Sequence, residues 1–99
     1  MKYAIHTLNK AFDHRVRLGV MAVLLAGSEQ VSFNDLKDSL DLTDGNLASH
    51  VAALEKAGYV VVHKQFIGKK PHTTYQATAE GRAAFQEHLA ALEKLLRGS

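Results

Sequence analysis

Residues 42–60 read Leu-Thr-Asp-Gly-Asn-Leu-Ala-Ser-His-Val-Ala-Ala-Leu-Glu-Lys-Ala-Gly-Tyr-Val, and they hold a helix, its start, its stop and the opening of a strand. Thr43 stands where an N-cap belongs, with Asp44 in the first turn to meet the positive end of the helix dipole. Leu47, Val51 and Leu54 recur at i, i+4 and i+7, which lays one apolar stripe along a helix. Gly58 ends it, because glycine turns left-handed without strain. From Tyr59 the period changes: Tyr-Val-Val-Val-His is β-branched and aromatic, and the run continues through Phe66-Ile67.

Working outward, Gly68-Lys69-Lys70-Pro71 predicts a turn or short loop and His72 to Ala77 a second strand, so 59–77 forms a β-hairpin. Thr78 then caps a last helix from Ala79 to about Leu96, with Phe85, Leu89, Leu92, Leu95 and Leu96 on one side. Upstream, Ser32 followed by Asp35 has the spacing of a capped helix start. The short helix it opens, Phe33 to Leu40, directs Phe33, Leu36 and Leu40 inward, and Asp41-Leu42 turns the chain into the next helix. Val31-Ser32-Phe33 offers no more than an edge strand. Between Asn9 and Ala26, Phe12, Val16, Val20 and Leu24 recur at steps of four, a helical stripe that Asp13 is placed to cap and divide near His14. The expected order is helix, short strand, helix, turn, helix, hairpin, helix: a mostly α chain with a β-hairpin.

Ninety-nine residues predict one domain, 1–99, that buries about two-thirds of its surface in a modest core without a deep catalytic cleft. Zero cysteines exclude a disulfide scaffold, a thiolate zinc site and a cysteine nucleophile. The longest apolar run, Gly19 to Gly27, falls far short of the ~20 residues that span a bilayer. Charges occupy the N-terminal stretch where a signal peptide needs apolar residues, so the expected location is the cytoplasm, with no membrane partner. There is no Gly-rich phosphate loop and no G-x-S-x-G, and Ser49 and His50 point apart as neighbours on a helix. No catalytic residue and no enzyme activity are expected. The six histidines include no H-x-x-x-H pair, and Glu87 and His88 project about 100° apart on a helix, so no metal or cofactor is expected either.

Charge is strongly segregated. Residues 1–27 carry net +3, residues 28–55 net −5 and residues 56–79 net +4, the last block with Lys56, Lys64, Lys69 and Lys70 and no acid. Such adjacent blocks of opposite sign point to a partner, not to a fold.

The order of elements resembles a winged helix-turn-helix over nearly the whole chain. Residues 42–60 are similar to the recognition helix and first wing strand of the MarR/ArsR-like transcriptional regulators of bacteria and archaea. The run Lys64-x-Phe66-x-Gly68-x-x-Pro71-x-Thr73-x-Tyr75-x-x-Thr78-x-x-Gly81-Arg82 is similar to a small stand-alone subgroup of them. The resemblance implies binding to double-stranded DNA, with helix 43–57 in the major groove and its N-terminal part against base edges. With Leu47, Val51 and Leu54 turned to the core, Thr43, Asp44, Gly45, Asn46 and Ser49 face outward and His50 lies nearer the core edge. Asn46 has the groups to pair bidentately with adenine. The family positions include His50, so the expected base-reading set is Thr43, Asn46, Ser49 and His50. Lys64, Lys69 and Lys70 of wing 59–77 are expected at the backbone or minor groove, and Arg15 or Arg17 at a phosphate or a second subunit.

The last helix, 79–96, carries more apolar surface than one small domain needs. Phe85, Leu89, Leu92 and Leu96 are therefore expected to form a homodimer interface. The expected function is a dimeric repressor on a pseudo-palindromic site. The alternative is a winged-helix module for protein contact without a physiological DNA site, which the acidic block favours. A small-molecule effector is unknown from the sequence and would have to fit between subunits.

Overall fold

Among the described residues, three of the four α-helices begin where a hydroxyl takes up a free backbone N–H. The computed structural model describes residues 5–27 and 30–98. Helix α1 spans Arg15–Ala26, strand β1 Val31–Ser32, helix α2 Phe33–Leu40 and helix α3 Asp44–Lys56. Ser32 Oγ accepts from the Asp35 N–H at 3.1 Å to start α2, and Thr43 Oγ1 from the Asn46 N–H at 3.2 Å to start α3. Thr78 Oγ1 does the same for Gly81 N–H at 2.9 Å, opening α4, Ala79–Leu96. Helix α1 departs from this. Asp13, its expected cap, instead closes a 3-10 turn at Lys10–Phe12 and donates its N–H to the Lys10 carbonyl at 3.1 Å. The extended cap conformation passes to His14 (φ −162°, ψ 134°), whose Nδ1 accepts from the Val16 N–H at 3.1 Å.

Both turns around α3 have the same left-handed design. Asp41, at φ 52°, donates to the Asp38 carbonyl while Leu42 donates to Lys37, and this joins α2 to α3. Gly58, at φ 84°, donates to Glu55 while Tyr59 donates to Leu54, and this sends the chain into strand β2, Val60–Ile67. Strand β2 pairs antiparallel with β3, Lys70–Ala77, from Val60 opposite Ala77 to Ile67 opposite Lys70. The turn is therefore only Gly68-Lys69, and Lys70 and Pro71, expected in the loop, belong to the strand. Gly68 takes φ 65°, which supplies the backbone twist a two-residue hairpin needs. The ladder tolerates Pro71: the turn closes on a hydrogen-bonded pair, so the next rung, Phe66 with Pro71, asks no N–H of the proline. Strand β1 pairs with the other edge of β3, Val31 opposite Tyr75, giving the sheet order β1-β3-β2.

The predicted stripes meet in one core: Phe12 with Val16, Val20, Met21 and Leu24, Leu36 of α2, Leu47, Val51 and Leu54 of α3, and Val60 and Tyr75 of the sheet. Phe12 is the aromatic centre. Tyr59 stacks on it and Phe85 and His88 of α4 meet it edge-on, each at 5.3 Å between ring centroids. Buried His88 accepts the Asn9 N–H on Nδ1 at 3.0 Å, tying α4 to the 3-10 turn. The hairpin leaves this core after His63, and Lys64 to Pro71 are exposed throughout. The chain is elongated accordingly, 59 × 25 × 21 Å with a radius of gyration of 15.0 Å. A compact chain of this length has about 13 Å.

The seam between α4 and the α3–β2 turn is closely packed. The Thr78 hydroxyl donates to the Gly58 carbonyl at 2.7 Å and the Thr78 N–H to the Tyr59 carbonyl at 3.0 Å. Gly81 is buried over the same residue, and a Cβ on it would lie 2.2 Å from the Tyr59 carbonyl oxygen. Two backbones would have to part to admit one methyl group. Gly81→Ala is expected to destabilise the fold by about 1–3 kcal/mol or more, read as a lower thermal midpoint. A midpoint equal to the wild type would show that α4 is free to move off the turn.

Candidate nucleic-acid interface

The N-terminal half of α3 is presented to solvent by its own core stripe. With Leu47 and Val51 buried, Thr43, Asp44, Gly45, Asn46, Ala48 and Ser49 are all exposed. A Cβ added at Gly45 would meet nothing within 4 Å, so the helix start is uncrowded. Thr43 spends one lone pair on its cap and keeps its O–H free to donate, while the Asn46 and Ser49 side chains stand one and nearly two turns further along. Asp44 is not a bare acid at the helix entrance. Lys37 of α2 reaches it at 3.0 Å, and the hydrogen bond and charge of Asp44 hold the Lys37 ammonium above its ordinary pKa. The one lysine among residues 28–55 is thus placed at the helix entrance, beside the acid that stands there.

His50 is half-buried and differs from the other members of the set. The Arg17 Nε–H donates to His50 Nδ1 at 3.1 Å, and the His14 ring lies against the His50 ring at 4.1 Å between centroids. An arginine Nε–H can only donate, so the neutral His50 ring carries its proton on Nε2. His14 Nδ1 is engaged in the same way by the Val16 N–H. Arg17, expected at a phosphate or a second subunit, thus has a partner inside its own chain. No sequence signal joined His50 to a side chain 33 positions away.

On the wing, Lys64, Lys69 and Lys70 are exposed, as are Phe66 and Ile67 at its end. An open groove of about 410 Å³ separates the wing from the start of α2, lined by Phe33, Asn34, Lys64, Pro71, His72 and Tyr75. On α4, Phe85 is half-buried against Phe12 within its own chain and Leu92 is half-buried, whereas Leu89 is 46% and Leu96 79% exposed. Among the described residues no helix is long and apolar enough to cross a membrane.

A family model described as a winged helix DNA-binding domain matches residues 16–96 of the chain. An uncharacterized protein of Methanocaldococcus jannaschii is 41% identical over 80 residues, covering 81% of this chain and 86% of that protein. The structure of a transcriptional regulator homologue from Pyrococcus horikoshii OT3 is 34% identical, with a TM-score of 0.80 over 89% of this chain and 86% of that one. A structure described as a MarR-family regulator of Enterococcus faecalis V583 is 26% identical, with a TM-score of 0.69 over 83% of this chain and 72% of that one.

The His50 contacts generate a pH dependence. Its burial, with His14 and then Arg17 beside it, holds its pKa below the ordinary 6.5. A base whose pKa is lowered by folding favours the unfolded state once it can bind a proton there. The contribution is fully present above the unfolded value, about 6.5, and is lost as the pH falls through it towards the folded value. The incoming proton must take the Nδ1 lone pair, which also releases Arg17. Denaturant midpoints measured from pH 8 to pH 5 are expected to fall further for wild type than for His50→Gln. Parallel curves would show that His50 does not report the titration.

Proposed function

We infer the role of this chain from the family it belongs to, the winged helix DNA-binding domains, and propose that it is a sequence-specific, dimeric transcriptional repressor. Residues 1–99 act as one domain in this reading. Helix α3 enters the major groove, with Thr43, Asn46, Ser49 and the exposed edge of His50 towards base edges. The wing, 59–77, sets Lys64, Lys69 and Lys70 against phosphates or in the minor groove. The observation that carries the reading is the uncrowded polar start of α3 beside a projecting hairpin that bears lysines and no acid.

A second copy supplies the rest of the assembly. Beyond His88, the last buried residue of α4, Leu89, Leu92 and Leu96 extend an apolar stripe whose inner border is Phe85. Pairing two such stripes about a two-fold axis covers them and presents two copies of α3 to a pseudo-palindromic site. Leu89→Asp combined with Leu96→Asp is expected to sediment as a monomer with helical circular dichroism retained, since both positions are exposed in the single chain. A double variant that stays dimeric would put the interface elsewhere.

Titrating a selected duplex and a scrambled one at several salt concentrations tests the DNA assignments. Lys69→Ala with Lys70→Ala should weaken both duplexes alike and lower the salt slope by about one per lost phosphate contact. Asn46→Ala should cost about 1–3 kcal/mol on the selected duplex alone, with the salt slope unchanged. If the wild type binds no duplex at low salt, the acidic α2–α3 surface becomes a protein-contact site and the DNA reading fails.

A further inference from the structure

The wing ends in an apolar knob that the fold does not use. Phe66 is 73% exposed and Ile67 63% exposed. Phe66 stands directly across from Pro71, so the ring and the pyrrolidine share one face of the hairpin just before the turn. Ile67 projects from the other face, across from Lys70, and Gly68-Lys69 closes the tip. Cations ring the knob: Lys64 two residues inward on the Phe66 face, Lys69 in the turn and Lys70 beside Ile67, with no acid between Glu55 and Glu80. Apolar side chains set among lysines complement a polyanion with an apolar interior, which is the base stack reached through a minor groove walled by phosphates.

We propose that Phe66, backed by Pro71, is a wedge that enters the minor groove and parts a base step, so that the wing bends the duplex it binds. The proposal rests on the DNA reading above and adds a specificity to it. Lysines alone would grip a straight duplex, whereas a wedge favours easily unstacked pyrimidine–purine steps and so selects sequence without a hydrogen bond to a base.

Phe66→Thr tests it, because threonine keeps the strand preference of the position and is too short to reach between bases. The measurements are duplex bending by end-to-end energy transfer, fluorescence of 2-aminopurine at the step facing the wing, affinity at several salt concentrations, sedimentation and the thermal midpoint. Wild type is expected to bend the duplex by about 20–90° and to brighten the 2-aminopurine. Phe66→Thr should keep the midpoint, the sedimentation and the salt slope, lose the bend, and bind a site with a flexible step about tenfold or more weakly. Phe66→Leu, which keeps a long apolar side chain, should retain the bend, and it decides the matter if the threonine variant is unstable.

Wild type that binds without bending or unstacking, or either result unchanged in Phe66→Thr, would overturn the wedge and leave the DNA reading standing. A bend lost in Phe66→Leu at full affinity would overturn it too. Altered sedimentation with an unaltered bend would make Phe66 a contact between copies instead. Absence of any duplex binding by wild type would remove both readings together.

Discussion

Two consecutive carbonyls, those of Gly58 and Tyr59, hold three elements in place. Thr78 binds both of them, one through its hydroxyl and one through its N–H, and Gly81 lies on the second without a side chain between. The Tyr59 ring stacks on Phe12, and its hydroxyl accepts from the Asn9 side chain at 2.9 Å. The left-handed turn at Gly58 fixes how the strand leaves α3, and the Thr78 contacts fix where α4 begins against that same turn. The direction of the wing, the position of α3 and the origin of α4 are thus one constraint, and none can shift without the others.

That constraint accounts for the economy of the surface. The core stripe of α3 is spent on α1, α2 and the sheet, which leaves the polar start of the helix open, and the hairpin extends beyond the core with little packing after His63. Lys37 crosses to Asp44, so the lone lysine of the acidic block sits beside the acid at the start of α3, and the net charge of the block stays as its composition sets it. Two of the six histidines hold backbone: His14 caps α1 and His88 receives the Asn9 N–H.

Local physics was legible in the residues and long-range geometry was not. Ser32, Thr43 and Thr78 each act on the N–H three residues on, so the starts of α2, α3 and α4 could be read from nearby letters. The exchange of Asp13 for His14 could not, because it depends on a 3-10 turn that consumes Asp13 first. Lys70 and Pro71 read as loop because proline and lysine are common there, yet the two-residue turn left both in the strand. Periodicity put Phe85 and Leu96 on one side of one helix but held no information about where the chain's own core stops covering that side. The outward placement of Thr43, Asn46 and Ser49 on α3 followed from its stripe, whereas His50 entered the set through the family resemblance. The His14–His50–Arg17 contact required two helices to meet.

Segregated charge gives the molecule an electric moment, running from the acidic α2–α3 region to the basic hairpin. In the field of a polyanion such a moment would turn the body before contact, and in the proposed role it favours an approach led by the hairpin. Repulsion and attraction then act in sequence along one approach. Where the ten acids and the twelve lysines and arginines fall along the chain would then bear on the order of approach as well as on the strength of the final contact.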